Sequence, residues 1–315
     1  MDEQHELLIG NIAQDYYYDK MPISYLTEKY NLSRYLILKY LDEGITHGIV
    51  QININSGFRR NAELEQRLKK KFSIRHIYVL KDPKDPAKRE DNIGNFSALQ
   101  IQTLIKKCHV VGVAWGETVY NVISHMQQSE RSDLVFNQFI GEEMKYNSSF
   151  GSMRMVQLAA AKYDAPYYVL PGPSYIVNDK IRKALRNEPS MKKAMDVMTK
   201  MDMIICGVGT LASIDSVQPW RDYKADIFPN VDLNKIVGMV YGRPFDIDGD
   251  FLVDSRNDKT LAAPLKTLLK VPNRFCIVLR RSKYRAALGA LRGGFFTDLV
   301  LSEANALRIA NIVKA

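Results

Sequence analysis

Residues 97–119 read SALQIQTLIKKCHVVGVAWGETV and combine three patterns in one stretch. An amphipathic helical pattern over 97–107 is followed by a short, unbroken apolar run, HVVGVAW (109–115). Gly112 and Gly116 then allow a tight turn from a strand into a second helix. A helix, a buried strand and a further helix in this order are typical of α/β proteins, in which helices cover both faces of a mainly parallel sheet.

The same alternation continues from residue 74 to the end of the chain. Further short apolar runs are IRHIYVL, LVFNQFIG, PYYVL, DMIICGVG, KIVGMVYG, RFCIVL and FTDLVLS. Amphipathic stretches such as MRMVQLAAAKY, KIRKALRN and YRAALGALRGG separate most of them. The pattern predicts an α/β domain over 59–315. A linker helix over 61–72, with Leu64, Leu68 and Phe72 on one stripe, would open that domain.

Residues 1–58 have a different pattern, which predicts a winged helix-turn-helix. Residues 6–18 show helical spacing, and Pro22 can occupy the first turn of a second helix. Asn31 to Ser33 form a short turn, with Ser33 as the N-cap of a third helix. Residues 48–58 alternate apolar and polar side chains, as in a half-exposed strand or small wing. Two packed helices without a recognition role are the alternative interpretation of this stretch.

Charge and composition restrict the class of protein. The chain has 315 residues and a formal net charge of +9, which suits a polyanionic partner, although residues 20–60 are only mildly basic. No apolar run approaches the roughly 18 residues of a membrane span, and the acidic N-terminus does not resemble a signal peptide, so we expect a cytoplasmic protein without membrane contact. The three cysteines each lie in or beside an apolar run and are expected to be buried, reduced thiols, and no metal site is expected.

Two glycine-containing turns are candidate ligand sites. GVAWGETV (112–119) places backbone N–H groups at a helix start, which is a common anion site. GVGTLA (207–212) formally matches a dinucleotide-binding pattern. However, Pro219, Pro229 and the absence of a 3.6-residue period predict no helix after it. A glycine-lined loop at the carboxyl end of a strand, facing a small ligand, is therefore favoured over nicotinamide or flavin binding.

Two charged motifs follow later in the chain. FDIDGDF (245–251) lacks the spacing of a calcium loop, and Asp248-Gly249 between apolar neighbours instead predicts a hairpin turn. Lys283 opens a helix directly after a strand. A cation there opposes the helix dipole unless an anion is bound nearby, so Lys283 is either a ligand contact or a solvated lysine.

Taken in order, the motifs resemble the SorC family of sugar-responsive transcriptional regulators, which is related to the DeoR type. The resemblance covers nearly the whole chain. It is carried by DYYYDKMPISYLTEKYNLSRYLILKYLDEGITHGIVQI, GVAWGETV, FIGEE, APYYVLPGP, DMIICGVGT, GRPFDIDGD and KYRAALGALRGGFFTDLVLSEANA. It implies an N-terminal DNA-binding domain, an effector domain similar to sugar-phosphate isomerases, and a homotetramer arranged as a dimer of dimers.

The resemblance also implies the effector site. The residues implied are Gly116, Glu117, Thr118, Gly141, Glu142, Gly207, Gly209, Thr210, Arg243, Asp246 and Lys283. Three departures alter the family pattern: Met239 replaces an aspartate of the pocket, Leu279-Arg280 replace two glycines, and Ser302 replaces an aspartate. Regulators of L-sorbose operons share part of these departures, which indicates a ketose or polyol as effector. No cofactor besides the effector is expected.

The leading hypothesis is a regulator whose operator affinity changes when a sugar or sugar phosphate binds. Ser33, Arg34, Tyr35 and Lys39 would lie nearest the bases of the operator DNA, and Lys29, Lys39, Arg59 and Arg60 would contact phosphates. The alternative is an isomerase-like enzyme acting on a sugar phosphate in the same pocket, with Glu117, Glu142 or Asp246 as acid or base. A third hypothesis is a ligand-binding scaffold whose helix-turn-helix serves only for packing.

Overall fold

The computed structural model describes residues 3–50, 57–83, 85–145 and 151–314. The chain divides into two compact units, Met1–Gly57 and Phe58–Ala315. Phe58 belongs to the larger unit, where its ring packs 5.2 Å from that of Phe96, whereas the sequence analysis placed residue 58 in the smaller domain. Most of the predicted wing, residues 51–56, lies outside the described residues.

The smaller unit contains three α-helices, within its described residues. They are α1 (Glu3–Ala13), which a π-helical turn over Gln14–Tyr18 extends, α2 (Ile23–Tyr30) and α3 (Arg34–Thr46). Ile12, Leu26, Ile37 and Leu41 form their shared core and are almost fully buried. The apolar spacing therefore produces one small hydrophobic core among the three helices.

The caps of these helices follow partly from the sequence. Ser33 is confirmed as the N-cap of α3, because its hydroxyl accepts a hydrogen bond from the N–H of Leu36 at 3.2 Å. Pro22 is the N-cap of α2 and does not lie in its first turn, so that expectation is wrong. Its ψ of 150° is extended, and its carbonyl accepts the first helical hydrogen bond, from the N–H of Leu26.

The larger unit alternates strands and helices as the apolar pattern predicts. Its helices are α4 (Ala62–Lys71), α5 (Arg89–Ile105), α6 (Glu117–Ser124), α7 (Ser152–Ala161), α8 (Asp179–Asn187), α9 (Pro189–Met198), α10 (Leu211–Asp215), α11 (Gln218–Asp222), α12 (Lys224–Ile227), α13 (Leu265–Lys270), α14 (Tyr284–Arg292) and α15 (Glu303–Val313). Its strands are β1 (His76–Leu80), β2 (Val110–Val113), β3 (Val135–Gln138), β4 (Tyr167–Tyr168), β5 (Met203–Gly207), β6 (Gly238–Val240), β7 (Arg243–Phe245), β8 (Asn273–Val278) and β9 (Asp298–Ser302). Short 3₁₀ turns cover Pro86–Lys88, Leu233–Lys235 and Arg281–Lys283.

Seven of the strands in the described residues form one sheet, in the order β1-β9-β8-β5-β2-β3-β4. Every pair in it is parallel. The α/β fold class with a mainly parallel sheet is thus confirmed. Side chains of the central strands alternate between two hydrophobic clusters, one on each face: Ile204 and Cys276 lie in one, Ile205 and Phe275 in the other. Both faces are buried, which is why these strands appear as unbroken apolar runs.

The run KIVGMVYG is an exception, since its strand does not join the main sheet. β6 and β7 form a separate antiparallel ribbon. Tyr241 (φ 54°) and Gly242 (φ 77°) both adopt left-handed conformations between them, as a two-residue hairpin turn requires. The chain therefore reverses after three residues of strand instead of continuing into a crossover helix.

The order of the strands creates a switch point between β2 and β5. After β2 the chain adds β3 and β4 on one side, then returns to pair β5 with the opposite edge of β2. The connections that follow β2 and β5 therefore lead away from each other. In open parallel sheets, the crevice at such a point, outside the carboxyl ends of the strands, is where ligands bind.

Candidate functional site

A cavity of about 480 Å³ lies at the switch point between β2 and β5. Its walls come from residues 114–118 after β2, the segment after β3, residues 206–216, the turn of the β6–β7 ribbon, and residues 280–283 after β8. A volume of this order suits a small ligand. Among the residues expected to bind the effector, the structure brings together Gly116, Glu117, Thr118, Gly207, Gly209, Thr210 and Lys283.

The N-terminus of α6 forms one wall of the cavity. Gly116 is its N-cap, with φ 117° and ψ 161°, a conformation that essentially only glycine adopts. No side chain caps this end of the helix. The N–H groups of the first turn, including those of Glu117 and Thr118, therefore lack intrahelical partners. Together with the positive end of the helix dipole, they favour an anion in the cavity.

Lys283 places a half-buried cation at the same cavity. The residue lies in the 3₁₀ turn before α14, and its Nζ donates a hydrogen bond to the carbonyl of Val208 at 2.7 Å. Burial lowers the pKa of Lys283, and the positive charge of Arg280 lowers it further. Within the described residues no ion pair neutralises this ammonium group. A bound anion would therefore gain a cationic partner that the fold itself does not satisfy.

Arg280 and Glu117 form an ion pair at the edge of the cavity, with 2.5 Å between guanidinium nitrogen and carboxylate oxygen. Both side chains are more than half exposed. Arg280 is one of the departures from the family pattern. Its guanidinium pairs with the carboxylate of Glu117, which is the charged side chain in the first turn of α6. The carboxylate of Glu117 is thereby neutralised beside the helix end that attracts anions.

A short helix follows the GVGT loop, contrary to the sequence-based expectation. Helix α10 begins at Leu211 directly after Thr210, which forms a reciprocal capping box with Ser213. Side-chain caps stabilise one turn of helix without any long apolar period, so periodicity could not reveal it. Gly209 meanwhile pairs its N–H and carbonyl with those of Met239, at 2.9 and 3.0 Å. Met239, which replaces the pocket aspartate, lines the cavity beside this loop.

Sequence reasoning missed two charged residues of the cavity, Glu143 and Lys145. Glu143 is 6% exposed, its Oε1 is buried without a hydrogen-bond partner in the described part of the chain, and burial raises its pKa. The signal for it is the Glu-Glu pair in FIGEE, of which the family resemblance implied Glu142. Which of two consecutive carboxylates enters a cavity depends on the loop conformation and cannot be inferred from spacing.

Two expected effector residues, Gly141 and Glu142, lie in this same loop but do not line the cavity. The carboxylate of Glu142 accepts hydrogen bonds from the N–H groups of Ser152, at 3.0 Å, and of Met153. It thereby caps the start of α7. The carbonyl of Gly141 accepts from the hydroxyls of Ser152 and Ser174, at 3.0 and 2.6 Å. Both residues therefore organise the loop.

Arg243 and Asp246 also lie outside the cavity lining. Arg243 is buried and pairs with Asp258, with 2.7 Å between guanidinium and carboxylate. The Oδ1 of Asp246 accepts hydrogen bonds from three successive N–H groups, those of residues 248, 249 and 250. Asp248-Gly249 does occupy a chain reversal, which brings Phe245 beside Phe251 in an antiparallel bridge. Both charged side chains are thus engaged in holding the fold.

The residues expected at DNA are divided between the two units. Ser33, Arg34, Tyr35 and Lys39 are exposed on or beside α3, with Tyr35 72% exposed. Lys39 lies 3.6 Å from Glu43. Leu38, on the same helix, is 44% exposed.

Three further residues expected at DNA phosphates stand elsewhere. Lys29, in the smaller unit, pairs with Asp15 at 2.7 Å. Arg59 is exposed in the larger unit. Arg60, also in the larger unit, donates two hydrogen bonds to Glu65, at 2.8 and 2.6 Å, and stacks 5.0 Å from the ring of Tyr78. Its guanidinium thus already has its hydrogen-bond and stacking partners within the larger unit.

The described residues contain neither a membrane-spanning helix nor a cluster of metal ligands. No helix among them is long and apolar enough to cross a membrane. No group of three or more potential ligands in these ranges could hold a metal ion. The cysteines, Cys108, Cys206 and Cys276, are buried free thiols, as expected.

Comparison with known proteins identifies the family of the larger unit. The family model described as "Putative sugar-binding domain" matches residues 56–311. The sorbitol operon regulator of Klebsiella pneumoniae is 26% identical over 304 residues, which cover 95% of this chain and 96% of that protein. The transcriptional regulator LsrR of Escherichia coli O9:H4 (strain HS) is 25% identical over 307 residues, which cover 96% of this chain and 93% of LsrR.

Among solved structures, the full-length sorbitol operon regulator SorC from Klebsiella pneumoniae has a TM-score of 0.78 and 24% sequence identity. The match covers 98% of this chain and 99% of SorC, and it shows that the two share a fold. The resemblance to the SorC family that the motifs indicated is confirmed. With a matching family model over more than half of its length and a ligand-sized cavity within that match, the chain belongs to the sugar-binding domain family.

Proposed function

We propose that this chain is a sequence-specific DNA-binding regulator of transcription, whose operator affinity is controlled by a sugar or sugar phosphate in the cavity. The proposal rests on the presence of two features in the same chain. A Ser33-capped helix with exposed basic and aromatic side chains shares the chain with a cavity of the sugar-binding family. The relatives that match nearly the whole chain are named as operon and transcriptional regulators, which supports the same function.

Helix α3 would act as the recognition helix in the major groove. Arg34 lies in its first turn, where side chains of such helices reach base edges. A bidentate contact from Arg34 to guanine would contribute about 1–3 kcal/mol of discrimination between bases. Tyr35 would contact a neighbouring base, while Lys29, Lys39 and Arg59 would bind phosphates without reading sequence. Arg60 is left out of this proposal, because Glu65 holds its guanidinium.

The effector would bind with its anionic end at the N-terminus of α6 and beside Lys283. These two groups supply backbone donors and a cation in one place. Regulation requires that the effector bind two arrangements of the protein with different affinity, since equal affinity shifts no equilibrium. A homotetramer acting on operator DNA in the cytoplasm, with no cofactor other than the effector, completes the proposal.

An isomerase-like enzyme has less support from the geometry. Of the three carboxylates considered as acid or base, Glu142 and Asp246 are bound by backbone N–H groups outside the cavity lining. Glu117 is paired with Arg280. The relatives that match nearly the whole chain are named as regulators.

Gel-shift titration of the full chain on DNA upstream of its own gene tests the proposal. Specific binding should survive excess competitor DNA at physiological salt, and Arg34→Ala should weaken it at least ~10-fold. Arg256→Ala is the matched control, because it removes an equal charge that is 91% exposed in the larger unit. If the wild-type chain binds every DNA sequence equally, it is not a sequence-specific regulator.

A further inference from the structure

One carboxylate of the cavity has a buried oxygen for which the described residues supply no partner. Glu143 lines the cavity and is only 6% exposed. Its Oε1 has no hydrogen-bond partner in the ranges that the structure describes, although it is shielded from solvent. Buried carboxylate oxygens in proteins are normally hydrogen-bonded, because desolvating them alone is strongly unfavourable. The described part of the fold therefore leaves this acceptor unsatisfied, and a donor group of a bound molecule would satisfy it.

The neighbouring carboxylate shows what a structural role looks like in the same loop. Glu142 accepts hydrogen bonds from the N–H groups of Ser152 and Met153, and a third, longer one from the Nε2 of Gln138 at 3.4 Å. Both of its oxygens are thus occupied by the fold. The Oε1 of Glu143, in contrast, is buried without a hydrogen-bond partner among the described residues, so the fold binds the two consecutive glutamates differently.

Glu143 is also the acidic side chain of the cavity with a buried oxygen, Oε1, that no described residue satisfies. Among the described residues that line the cavity, the acidic ones are Glu117 and Glu143. Glu117 is bound by Arg280 at 2.5 Å, so its carboxylate is already satisfied. Met239, whose counterpart in the resembling family is an aspartate, contributes only a thioether to the wall. Recognition by a carboxylate in this cavity therefore falls to Glu143.

The chemistry of a carboxylate selects its partner. An ionised carboxylate only accepts hydrogen bonds, and its two oxygens can accept from two adjacent hydroxyl groups. It repels a phosphate, which is favoured instead at the N-terminus of α6 and at Lys283. We propose that Glu143 is the specificity-determining residue of the effector site, and that it accepts hydrogen bonds from hydroxyl groups of a polyhydroxy ligand whose anionic end lies at α6.

The inference rests on the proposed function, because it assigns a contact within the same effector site. Desolvation raises the pKa of Glu143, while the positive charge of Lys145 lowers it. A hydroxyl donor would stabilise the ionised form further. A ligand without hydroxyl groups at this position would leave a buried carboxylate unpaired, and such a mismatch discriminates strongly between related ligands.

Isothermal titration calorimetry on the full chain tests the inference with wild type, Glu143→Gln and Glu188→Gln. Glu188 is exposed, so its variant makes the same chemical change away from the cavity. The probes are inorganic phosphate, D-sorbitol 6-phosphate and D-fructose 6-phosphate. Glu143→Gln should weaken sugar-phosphate binding by about ten-fold or more, because a charge-assisted hydrogen bond is lost. It should bind inorganic phosphate as well as wild type or better, because a repulsive charge is removed, whereas a damaged fold would weaken both.

The outcomes separate this inference from the proposed function. If Glu143→Gln and wild type bind the same sugar phosphate equally, the assignment of Glu143 is overturned and the effector function stands. If wild type binds inorganic phosphate but neither sugar phosphate, recognition of hydroxyl groups is overturned. If wild type binds none of the three probes, the effector function fails together with the inference. Thermal unfolding of the unliganded variants shows whether each is folded.

Discussion

The Nζ of Lys283 lies 2.7 Å from the carbonyl oxygen of Val208 and donates a hydrogen bond to it. This bond joins the turn before α14 to the loop that follows β5. Two segments about 75 residues apart in sequence are thereby linked at the carboxyl ends of β5 and β8. The ammonium group is held at the cavity in a fixed position, and burial lowers its pKa because the charged form is desolvated.

Replacing Lys283 with methionine should remove ligand stabilisation without destabilising the unliganded protein. Methionine keeps the length and apolar part of the side chain, and it removes a charge whose burial is unfavourable. In thermal-shift experiments, a sugar phosphate that raises the Tm of wild type should leave that of Lys283→Met unchanged. The control is Lys200→Met, at an exposed position. A full ligand-induced shift in Lys283→Met would exclude the ammonium group from the site.

Gly116→Ala should damage the effector site more than the fold. Gly116 has a φ of 117°, and a Cβ there would meet no atom within 4 Å, so the effect comes from backbone strain alone. A residue with a Cβ is strained by about 1–3 kcal/mol in this region. Because Gly116 aims the first N–H groups of α6, relief of that strain should reorient them. Calorimetric titration should show a loss of sugar-phosphate affinity of about ten-fold or more.

The matched control for this prediction is Gly294→Ala. Gly294 also has a positive φ, 63°, and open space at its Cβ position, but it does not line the cavity. The Gly294→Ala variant should lose about 1 kcal/mol of unfolding free energy and bind the sugar phosphate with wild-type affinity. Equal losses of sugar-phosphate affinity in both variants would show that backbone strain in general, and not the orientation of the N–H groups of α6, weakens binding.

Arg243→Met should destabilise the larger unit, but the variant that remains folded should bind the effector with unchanged affinity. Arg243 is 2% exposed, pairs with Asp258 and donates to the carbonyl oxygens of Tyr241 and Ala263. Removing the guanidinium leaves the Oδ2 of a largely buried carboxylate without its cationic partner and takes the donor from two carbonyl oxygens, which should cost about 3–5 kcal/mol. Urea unfolding measures the loss. The double variant Arg243→Met/Asp258→Asn should lose less than the sum of the two single variants.

Arg60→Ala should behave differently from Arg34→Ala. Arg60 satisfies Glu65, which is 8% exposed and also accepts a hydrogen bond from the N–H of Val79. Its loss should lower the unfolding free energy by about 1–2 kcal/mol, a modest value because the Arg60 side chain is 41% exposed. Gel shifts at a temperature where the variant is folded should show unchanged sequence discrimination. A loss of discrimination equal to that of Arg34→Ala would restore Arg60 to the DNA-contacting residues.

Local patterns identified many of the elements. Ser33 was recognisable as an N-cap because the cap uses a hydroxyl and an N–H three residues away. Leu64, Leu68 and Phe72 were recognisable as a buried stripe because one face of a helix repeats every three to four residues. Lys283 was placed at the start of a helix because strand and helix patterns adjoin there. Each of these features depends on neighbours within one turn or one strand.

Other features depend on contacts between distant segments. The strand in KIVGMVYG has the composition of a core strand, but the left-handed pair Tyr241 and Gly242 turns it into a separate ribbon. Asp246 resembles a ligand residue until its carboxylate is found to bind the N–H groups of its own turn. The choice between Glu142 and Glu143 depends on the start of α7, ten residues later, which engages the first and leaves the second to the cavity.

The amino-acid sequence by itself determined the α/β class, the helix-turn-helix stretch and the motifs of the sugar-binding family, because periodicity, capping and glycine turns act over short distances along the chain. Only the tertiary structure decided which charged side chains meet in one cavity. The reason is that loops after β2, β3, β5 and β8 converge at a switch point set by the strand order. A carboxylate or ammonium group binds ligand there only if the fold has not already supplied its partner.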